Sequence, residues 1–224
     1  MAPIIEVSDE TLKTLNPEVY TMRNDLVLKP EIETPRAEVV SDSYIEVPEL
    51  NLAIAKERTH QGKDWYEAHR ALSQEGARML TLPEFAGFLK YLKSEESNQE
   101  YQEILRDLVE VKSPWRSEWF DTAFKQGERG LYILTQNKSK KEKIRGGLRE
   151  DKTPGINLEH WLENPTNQGL PKSNVPQGDL YYWGPINGSV ARFGAGSGRA
   201  LLDCDGGPSS AGSDLGVRAA KQLE

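Results

Sequence analysis

The order of the predicted elements favours an α+β fold. One strand pattern precedes two helical patterns, and several short strand patterns joined by long loops follow them. Because this order differs from the strand–helix alternation that builds a parallel sheet, we predict a small antiparallel sheet. The chain has 224 residues, of which 37% are hydrophobic and 28% charged, and this suits one sizeable domain with an extension.

Composition excludes several classes of protein. The net charge of −7 disfavours nucleic acid as a partner, because binding to phosphates requires a basic surface. The single Cys excludes an internal disulfide framework and a Cys-rich zinc site. No apolar run approaches the length of a membrane span, and the N-terminus lacks the features of a signal peptide. We therefore expect a protein that is made without export, with a cytoplasmic location as the default. Because no pattern suggests a coiled coil or a large exposed apolar stripe, a monomer is the default oligomeric state.

Residues 1–43 predict an arm rather than a domain. They are polar and interrupted by four prolines, so we expect short strands at most. Residues 44–222 form the predicted domain, and 223–224 are set aside as a cloning remnant. Residues 44–57 predict a half-buried strand, because apolar residues alternate there at Leu50, Leu52 and Ile54.

Helical signals follow this strand. Residues 62–76 carry apolar side chains at helical spacing and end at Gly76, which suits a C-terminal cap. Thr81 and Glu84 have the spacing of a capping box at the start of a second helix. Its apolar stripe consists of Phe85, Phe88, Leu89 and Leu92. Residues 97–110 predict a further helical stretch.

The second half of the chain predicts short strands and long loops. The strand patterns lie at 130–135, 180–184, 189–193, 200–204 and 215–220. Residues 136–179 predict loops, and they contain a basic run of Lys138, Lys140, Lys141, Lys143, Arg145 and Arg149. A solvated insertion is the simplest interpretation of this run, and phosphate binding is the alternative. The predicted core comprises Trp65, Phe85, Phe88, Leu89, Trp115, Trp119, Tyr132, Trp183 and Phe193.

The segment 194–214 has an unusual composition between two firm apolar, basic anchors, 189–193 and 215–220. It consists of Gly, Ala, Ser, Asp and Leu, with one Pro, one Arg and the only Cys. Such a segment suggests a fixed scaffold that presents interchangeable side chains, and therefore a binding surface. Within 200–204, alternation places Ala200, Leu202 and Cys204 on one face and Leu201 and Asp203 on the other.

Several motifs match known sites only in part. Gly194–Arg199 lacks the dinucleotide-binding spacing and the Lys-Ser/Thr of a phosphate-binding loop. Asp203–Gly206 lacks the third acid and the distal Glu of a calcium loop. Cys204 is expected to be a buried thiol. No ligand spacing joins the three histidines, His60, His69 and His160. We therefore expect no catalytic residue, no metal and no cofactor.

A set of C-terminal residues resembles the variable proteins of diversity-generating retroelements. The set comprises Trp183-Gly184, Gly188–Gly194, Leu202, Cys204, Pro208-Ser209 and Leu215–Arg218. These proteins have a C-type-lectin-like fold, in the branch that includes formylglycine-generating enzymes, and residues 76–92 resemble the second helix of that branch. The resemblance implies a C-type-lectin-like fold with two helices, small antiparallel sheets and long loops.

The resemblance also implies a function. In this family a reverse transcriptase rewrites a C-terminal cassette at template adenines, commonly in codons that cannot yield Glu, Lys, Gln, Met or Trp. Residues 194–214 contain none of these five. The implied fixed positions are Gly194, Ala200, Leu202, Cys204, Pro208 and Ser209. The implied diversified, ligand-binding positions are Gly196, Gly198, Arg199, Leu201, Asp203, Asp205, Gly206, Gly207, Ser210, Gly212, Ser213 and Asp214.

We therefore expect a non-enzymatic binder of a protein or a cell-surface molecule, with its surface bordered by Trp183 and the loops at 136–179. One alternative is an oxidase of the formylglycine-generating type, although those enzymes use a pair of Cys residues and this chain has one. The other is a structural or adhesion head module of a phage or cell surface. The segment 194–214 contains no Tyr or Trp, the residues that usually carry binding energy.

Overall fold

The strands of the computed structural model form one large, mostly antiparallel sheet, flanked by helices. The structure describes residues 42–223 except 111–112, 138–139, 146, 150–151 and 197, so nearly all of the predicted arm lies outside it. The strands are β1 Tyr44–Val47, β2 Leu52–Thr59, β3 Arg78–Met79, β4 Arg116–Gly127, β5 Gly130–Thr135, β6 Lys140–Lys143, β7 Lys152–Ile156, β8 Leu180–Trp183, β9 Val190–Ala195, β10 Ala200–Gly206 and β11 Leu215–Gln222. The helices are α1 Trp65–Gln74, α2 Leu82–Ser94, α3 Gln99–Val109 and α4 Leu158–Glu163, with a 3-10 turn at Pro48–Leu50.

The main path of the sheet runs β1-β2-β11-β4-β9-β10-β8-β7. The short strand β3 pairs with β11, whereas β5 pairs with both β4 and β6. The pairs β11–β4 and β10–β8 are parallel, and the other pairs are antiparallel. The mixed helix-and-sheet class is therefore confirmed, but the sheet is larger than predicted.

The two faces of the sheet are covered differently. Helices α2, α3 and α4 contribute to a core that contains Phe193 and Leu202. On the other face, α1 packs through Trp65 against residues of β2, β3, β4, β9 and β11. Among the described residues, this second cluster includes none from β8 or β10. No helix in the described part of the chain combines the length and the apolar character that a membrane span needs.

The three predicted helices are present, although α1 is shorter than the predicted segment 62–76, and their caps explain where they begin and end. Helix α1 begins at a capping box between Asp64 and Glu67, and Gly76 follows its end with a φ of +65°. At the start of α2, the Thr81 amide donates to Glu84 Oε2 over 2.8 Å. Glu84 also forms an ion pair with Arg78, which ties the helix to β3. The predicted stretch at 97–110 is α3.

The prediction of one half-buried strand at 44–57 is wrong. The segment forms an antiparallel hairpin of β1 and β2, and Leu50 lies in the connecting 3-10 turn. Asn51, with a φ of +54°, completes the turn. The first half of β2, Leu52–Ala55, is buried on both faces, so the apparent alternation did not mark a solvent-facing side.

Two other expectations need correction. Strand β4 was not predicted, because six successive residues, Ser117–Thr122, are all buried and show no alternation. The segment 136–179 is more than loops, since it contains β6, β7 and α4. Helix α4 buries Trp161, whose Nε1 donates to the Gly169 carbonyl over 2.8 Å.

Most of the predicted core is buried. Six of the nine residues are inaccessible, namely Trp65, Phe85, Phe88, Leu89, Trp119 and Phe193. Trp115 and Tyr132 are half-buried. The assignment of Trp183 to the core is wrong, because its side chain is 37% exposed on the α1 side of the sheet, where α1 does not reach.

Candidate binding surface

The segment 194–214 consists of the end of β9, the strand β10 and two loops. Ala200, Leu202 and Cys204 belong to the core beneath α2, as alternation predicted. Leu201 and Asp203 alternate with them and therefore lie on the α1 side of the sheet. The predicted separation of β10 into two faces is confirmed.

Strand pairing defines rows of residues across this side of the sheet. One row comprises Trp183, Asp203, Arg192 and Trp119. The next row on the same side comprises Tyr181, Leu201, Gly194 and Ser117. We call the α1 side of β8–β10, together with the loop 207–214 and the described residues 196, 198 and 199, the outer face.

The loop 207–214 is held to the domain through its backbone carbonyls. The Pro208 carbonyl accepts from the Trp65 amide over 3.0 Å, at the start of α1. The Asp214 carbonyl accepts from the Ser117 amide over 2.9 Å and also from the Arg58 guanidinium. These anchors are independent of the side chains that the loop presents.

Exposure divides the twelve predicted ligand-binding positions into three groups. The exposed positions are Gly198, Asp205, Gly207, Ser210 and Ser213. The half-buried positions are Arg199, Leu201, Gly212 and Asp214. The buried positions are Gly196, Asp203 and Gly206. The structure therefore brings most of the predicted positions to the outer face, but it makes three of them inaccessible.

The prediction that these three residues face solvent is wrong for steric and electrostatic reasons. A Cβ at Gly196 would overlap Cδ1 of Trp115. A Cβ at Gly206 would lie 3.0 Å from the Val190 carbonyl oxygen. Asp203 points to the outer face but is only 3% exposed, because it forms an ion pair with Arg192.

The Arg192–Asp203 pair lies at the centre of the outer face. Arg192 Nε and Nη2 lie 2.7 and 2.6 Å from Asp203 Oδ2, and Asp203 Oδ1 accepts from the Asp205 amide. The guanidinium carbon lies 5.5 Å from the ring of Trp115 and 5.6 Å from that of Trp119, within cation–π range. Sequence reasoning missed this pair, although a hairpin turning at 196–199 would have placed the two charges opposite each other.

Large side chains border the outer face on β8 and the loop that follows it. Trp183 is 37% exposed and Ile186 is 56% exposed. The guanidinium of Arg199 lies 4.5 Å from the ring centroid of Tyr181, so a predicted variable position contacts a residue outside the segment 194–214. Beyond β8, the strand β7 brings part of 136–179 to the same edge of the sheet.

The titratable groups elsewhere do not converge on the outer face. His60 pairs with Glu75, whereas His69 Nε2 lies 3.5 Å from Asp121 Oδ1 in a buried site. Burial lowers the pKa of His69 to about 4. Burial raises the pKa of Asp121 to about 6, although hydrogen bonds from two backbone amides oppose that rise. Among the described residues, no three His, Cys, Asp or Glu side chains are grouped to hold a metal ion.

A charged cleft of about 500 Å³ lies between β2 and α3. Its lining combines five carboxylates with two cations and one apolar residue: Glu57, Glu100, Glu103, Asp107, Glu110, Lys56, Arg106 and Ile104. Lys56 and Glu100 already pair across it at 2.6 Å. None of these residues belongs to the segment 194–214.

Comparison of the chain with models of protein families, with curated proteins and with solved structures found no match.

Proposed function

We propose that this chain is a non-enzymatic ligand-binding protein with a C-type-lectin-like scaffold, diversified on its outer face by a retroelement. Its ligand is a protein or another molecule of a cell surface. The observation that carries the proposal is the backbone attachment of the loop 207–214, through the carbonyls of Pro208 and Asp214. A loop held in this way keeps its position when its side chains change.

The arrangement of β10 supports the same proposal. Its core-facing residues Ala200, Leu202 and Cys204 pack into the main hydrophobic cluster, where each contributes to stability. The exposed Asp205 and the exposed loop positions that follow lie outside that cluster. Substitution of exposed residues usually changes the free energy of unfolding by about 0.5 kcal/mol or less. The outer face can therefore vary while the core keeps the fold.

Binding energy would come from the exposed variable residues and from the large apolar side chains at the border of the outer face. The exposed variable residues of this chain are small, and small side chains rarely carry hot-spot energy. Trp183 and Ile186 provide large apolar surface at the border of the outer face, outside the segment that varies. Variants with Tyr or Asn at the exposed positions would add contacts beside this constant apolar border.

A display experiment tests binding. A library randomised at Gly198, Asp205, Gly207, Ser210 and Ser213 should yield binders to a chosen folded protein, and reversion of the selected residues should abolish binding. A matched control library would randomise five residues at or near the exposed side of α3: Glu96, Ser97, Gln99, Glu103 and Arg106. Equal recovery of binders from the two libraries would contradict a specialised outer face.

The DNA beside the gene tests the retroelement. The proposal requires a near-duplicate of the 3′ end of the gene, with adenines at the diversified codons, next to a reverse transcriptase gene. Because Gly196, Asp203 and Gly206 are buried, substitutions there should be rarer among natural variants than at Gly198 or Ser210. A neighbourhood without a template repeat would argue against the retroelement while leaving the binding test unaffected.

A direct assay tests the absence of enzymatic activity. Cys204 is completely buried in the main core, so its thiol is not presented to a peptide substrate. We expect no turnover when the protein is incubated with copper and a Cys-containing peptide. Any formation of formylglycine would support the oxidase alternative instead.

A further inference from the structure

We propose that Arg192, Trp115 and Trp119 form a carboxylate-binding site on the outer face, and that Asp203 occupies this site from within the chain. The inference rests on the proposed function, in which position 203 varies among family members, although more rarely than the exposed positions. In variants with a small residue at 203, the site would be open to an Asp or Glu side chain of a protein ligand.

The ion pair between Arg192 and Asp203 has the geometry of a carboxylate-binding site. Two donors of one guanidinium, Nε and Nη2, converge on the single oxygen Asp203 Oδ2 at 2.7 and 2.6 Å. Charge-assisted hydrogen bonds of this length are among the strong polar contacts in proteins. The other oxygen, Oδ1, is held by the Asp205 amide at 2.9 Å, a backbone donor that remains whatever residue stands at 203.

Aromatic rings and backbone enclose the guanidinium of Arg192. The rings of Trp115 and Trp119 both lie within 6 Å of its carbon, and a Cβ at Gly206 would come within 3.4 Å of Nε. The Arg192 side chain nevertheless keeps 20% of its surface exposed, whereas that of Asp203 keeps 4%. The cation is therefore partly open to solvent, while the carboxylate lies beneath the surface.

Loss of the Asp203 side chain would leave the charge of Arg192 without its partner, because a guanidinium group is a cation in proteins. A partly buried cation without its partner is costly, and a carboxylate from solution would relieve that cost. Removal of the Asp203 side chain would vacate the volume between the guanidinium donors and the Asp205 amide. A planar carboxylate fits the donors that hold Asp203.

The test titrates acetate into Asp203→Ala at constant ionic strength and follows the Arg192 Nε–H and the Trp115 and Trp119 indole N–H signals by NMR. The variant should bind acetate saturably and at least about tenfold more tightly than the unaltered protein, as expected for a charge-assisted contact. The neutral isostere acetamide should not bind. Arg192→Gln in the Asp203→Ala background should abolish binding.

Asp205→Ala is the matched control. It makes the same change in net charge at an exposed neighbour and keeps the backbone amide that contacts Asp203. An equal gain in acetate binding there would show a general charge effect and overturn the proposal. Two peptides distinguish the source of the carboxylate. One has both ends blocked and carries a Glu side chain, and the other has a free C-terminus and no acidic side chain. Binding of the Glu peptide supports the assigned ligand, and binding restricted to the C-terminal peptide overturns that assignment.

Asp203→Ser provides a second route if Asp203→Ala does not fold. Failure of both variants to fold overturns the proposal, because position 203 would then be structural. Folded variants that do not bind acetate also overturn it. In that case the proposed function stands, because the five exposed positions and their library test do not depend on Arg192.

Discussion

Asp121 is a fully buried carboxylate on β4 that accepts hydrogen bonds from the Gln136 and Asn137 amides. These bonds fix the residues that follow β5. Burial is the largest influence on the pKa of Asp121 and raises it from 3.8 to about 6. At neutral pH the protein therefore keeps an ionised group in a poorly solvated site, beside the imidazole of His69.

The pH dependence of stability should reveal this group. Because the folded-state pKa is the higher one, the contribution of Asp121 is greatest below about pH 4 and falls by about 3 kcal/mol as pH rises through 6. The difference in unfolding free energy between wild type and Asp121→Asn should fall by that amount over this range in denaturant titrations. The exposed Asp179→Asn is the control, and a parallel pH curve for Asp121→Asn would contradict the assignment.

Two nearby glycines should respond differently to the same substitution. Gly196→Asn would force Trp115 to move and should cost about 1–3 kcal/mol, as overpacking does. A Cβ at Gly198 would meet no atom within 4 Å, so Gly198→Asn should cost about 0.5 kcal/mol or less. Chemical denaturation of both variants measures the contrast. Equal costs would show that Trp115 does not restrict position 196.

At the scale of elements, Phe193 on β9 and Trp183 on β8 lie in opposite environments. Phe193 on β9 is buried, with its ring centroid 5.0 Å from that of Phe85 on α2. Trp183 on β8 faces the opposite side and remains 37% exposed. The first residue therefore belongs to the packing between sheet and helix, and the second to the border of the outer face.

Alanine substitution should separate these two roles. Phe193→Ala should lower the unfolding free energy by about 3–5 kcal/mol, because it opens a cavity in the main core. Trp183→Ala should lower it by about 1 kcal/mol or less, but it should weaken the binders selected from the outer-face library. A large loss of stability in Trp183→Ala would show that Trp183 belongs to the core.

The capping residue Glu84 at the start of α2 should also make the unfolding free energy depend on pH. Burial raises the pKa of Glu84, but hydrogen bonds from Arg78 and Thr81 outweigh burial and lower it to about 2. The stabilisation is therefore complete above about pH 4.5 and is lost as pH falls toward 2, by about 3 kcal/mol. Glu84→Gln should flatten the acid limb of the stability curve. Glu67→Gln, at the corresponding capping position of α1, is the more exposed control.

At the scale of the whole molecule, the sheet separates stability from display. The core beneath α2, α3 and α4 contains most of the large buried side chains, and α1 completes a second cluster on the other side. The exposed part of the segment 194–214 belongs to neither cluster. The fold therefore depends little on which residues the outer face presents.

Simultaneous substitution tests this independence. A chain with Tyr or Asn at Gly198, Gly207, Ser210 and Ser213 should keep its Tm within a few degrees, because the changes replace no buried contact. The comparison chain adds Gly194→Asn, whose Cβ would lie 2.8 Å from the Arg116 carbonyl oxygen, and it should melt markedly lower. Collapse of the first chain would contradict the display of these positions.

The sequence determined the features that depend on local pattern. The caps of α1 and α2, the strands β8–β11 and the two faces of β10 follow from periodicity and turn chemistry within short windows. Strand β4 was not predicted because neighbouring elements bury both of its faces. Its sequence therefore lacks the alternation of apolar and polar residues that marks a half-buried strand. The unpredicted β6 has a different cause, since it is a run of exposed and half-buried Lys and Glu residues without an apolar alternation.

Only the tertiary structure decided which outward residues are accessible. Trp115 occupies the space beside Gly196, and Arg192 buries Asp203 by pairing with it. Both Trp115 and Arg192 lie on other segments of the chain. Trp183 remains exposed because α1 covers β2, β11 and β4 rather than β8. Periodicity assigns a side chain to one face of a strand, whereas its exposure depends on what the rest of the fold places over that face.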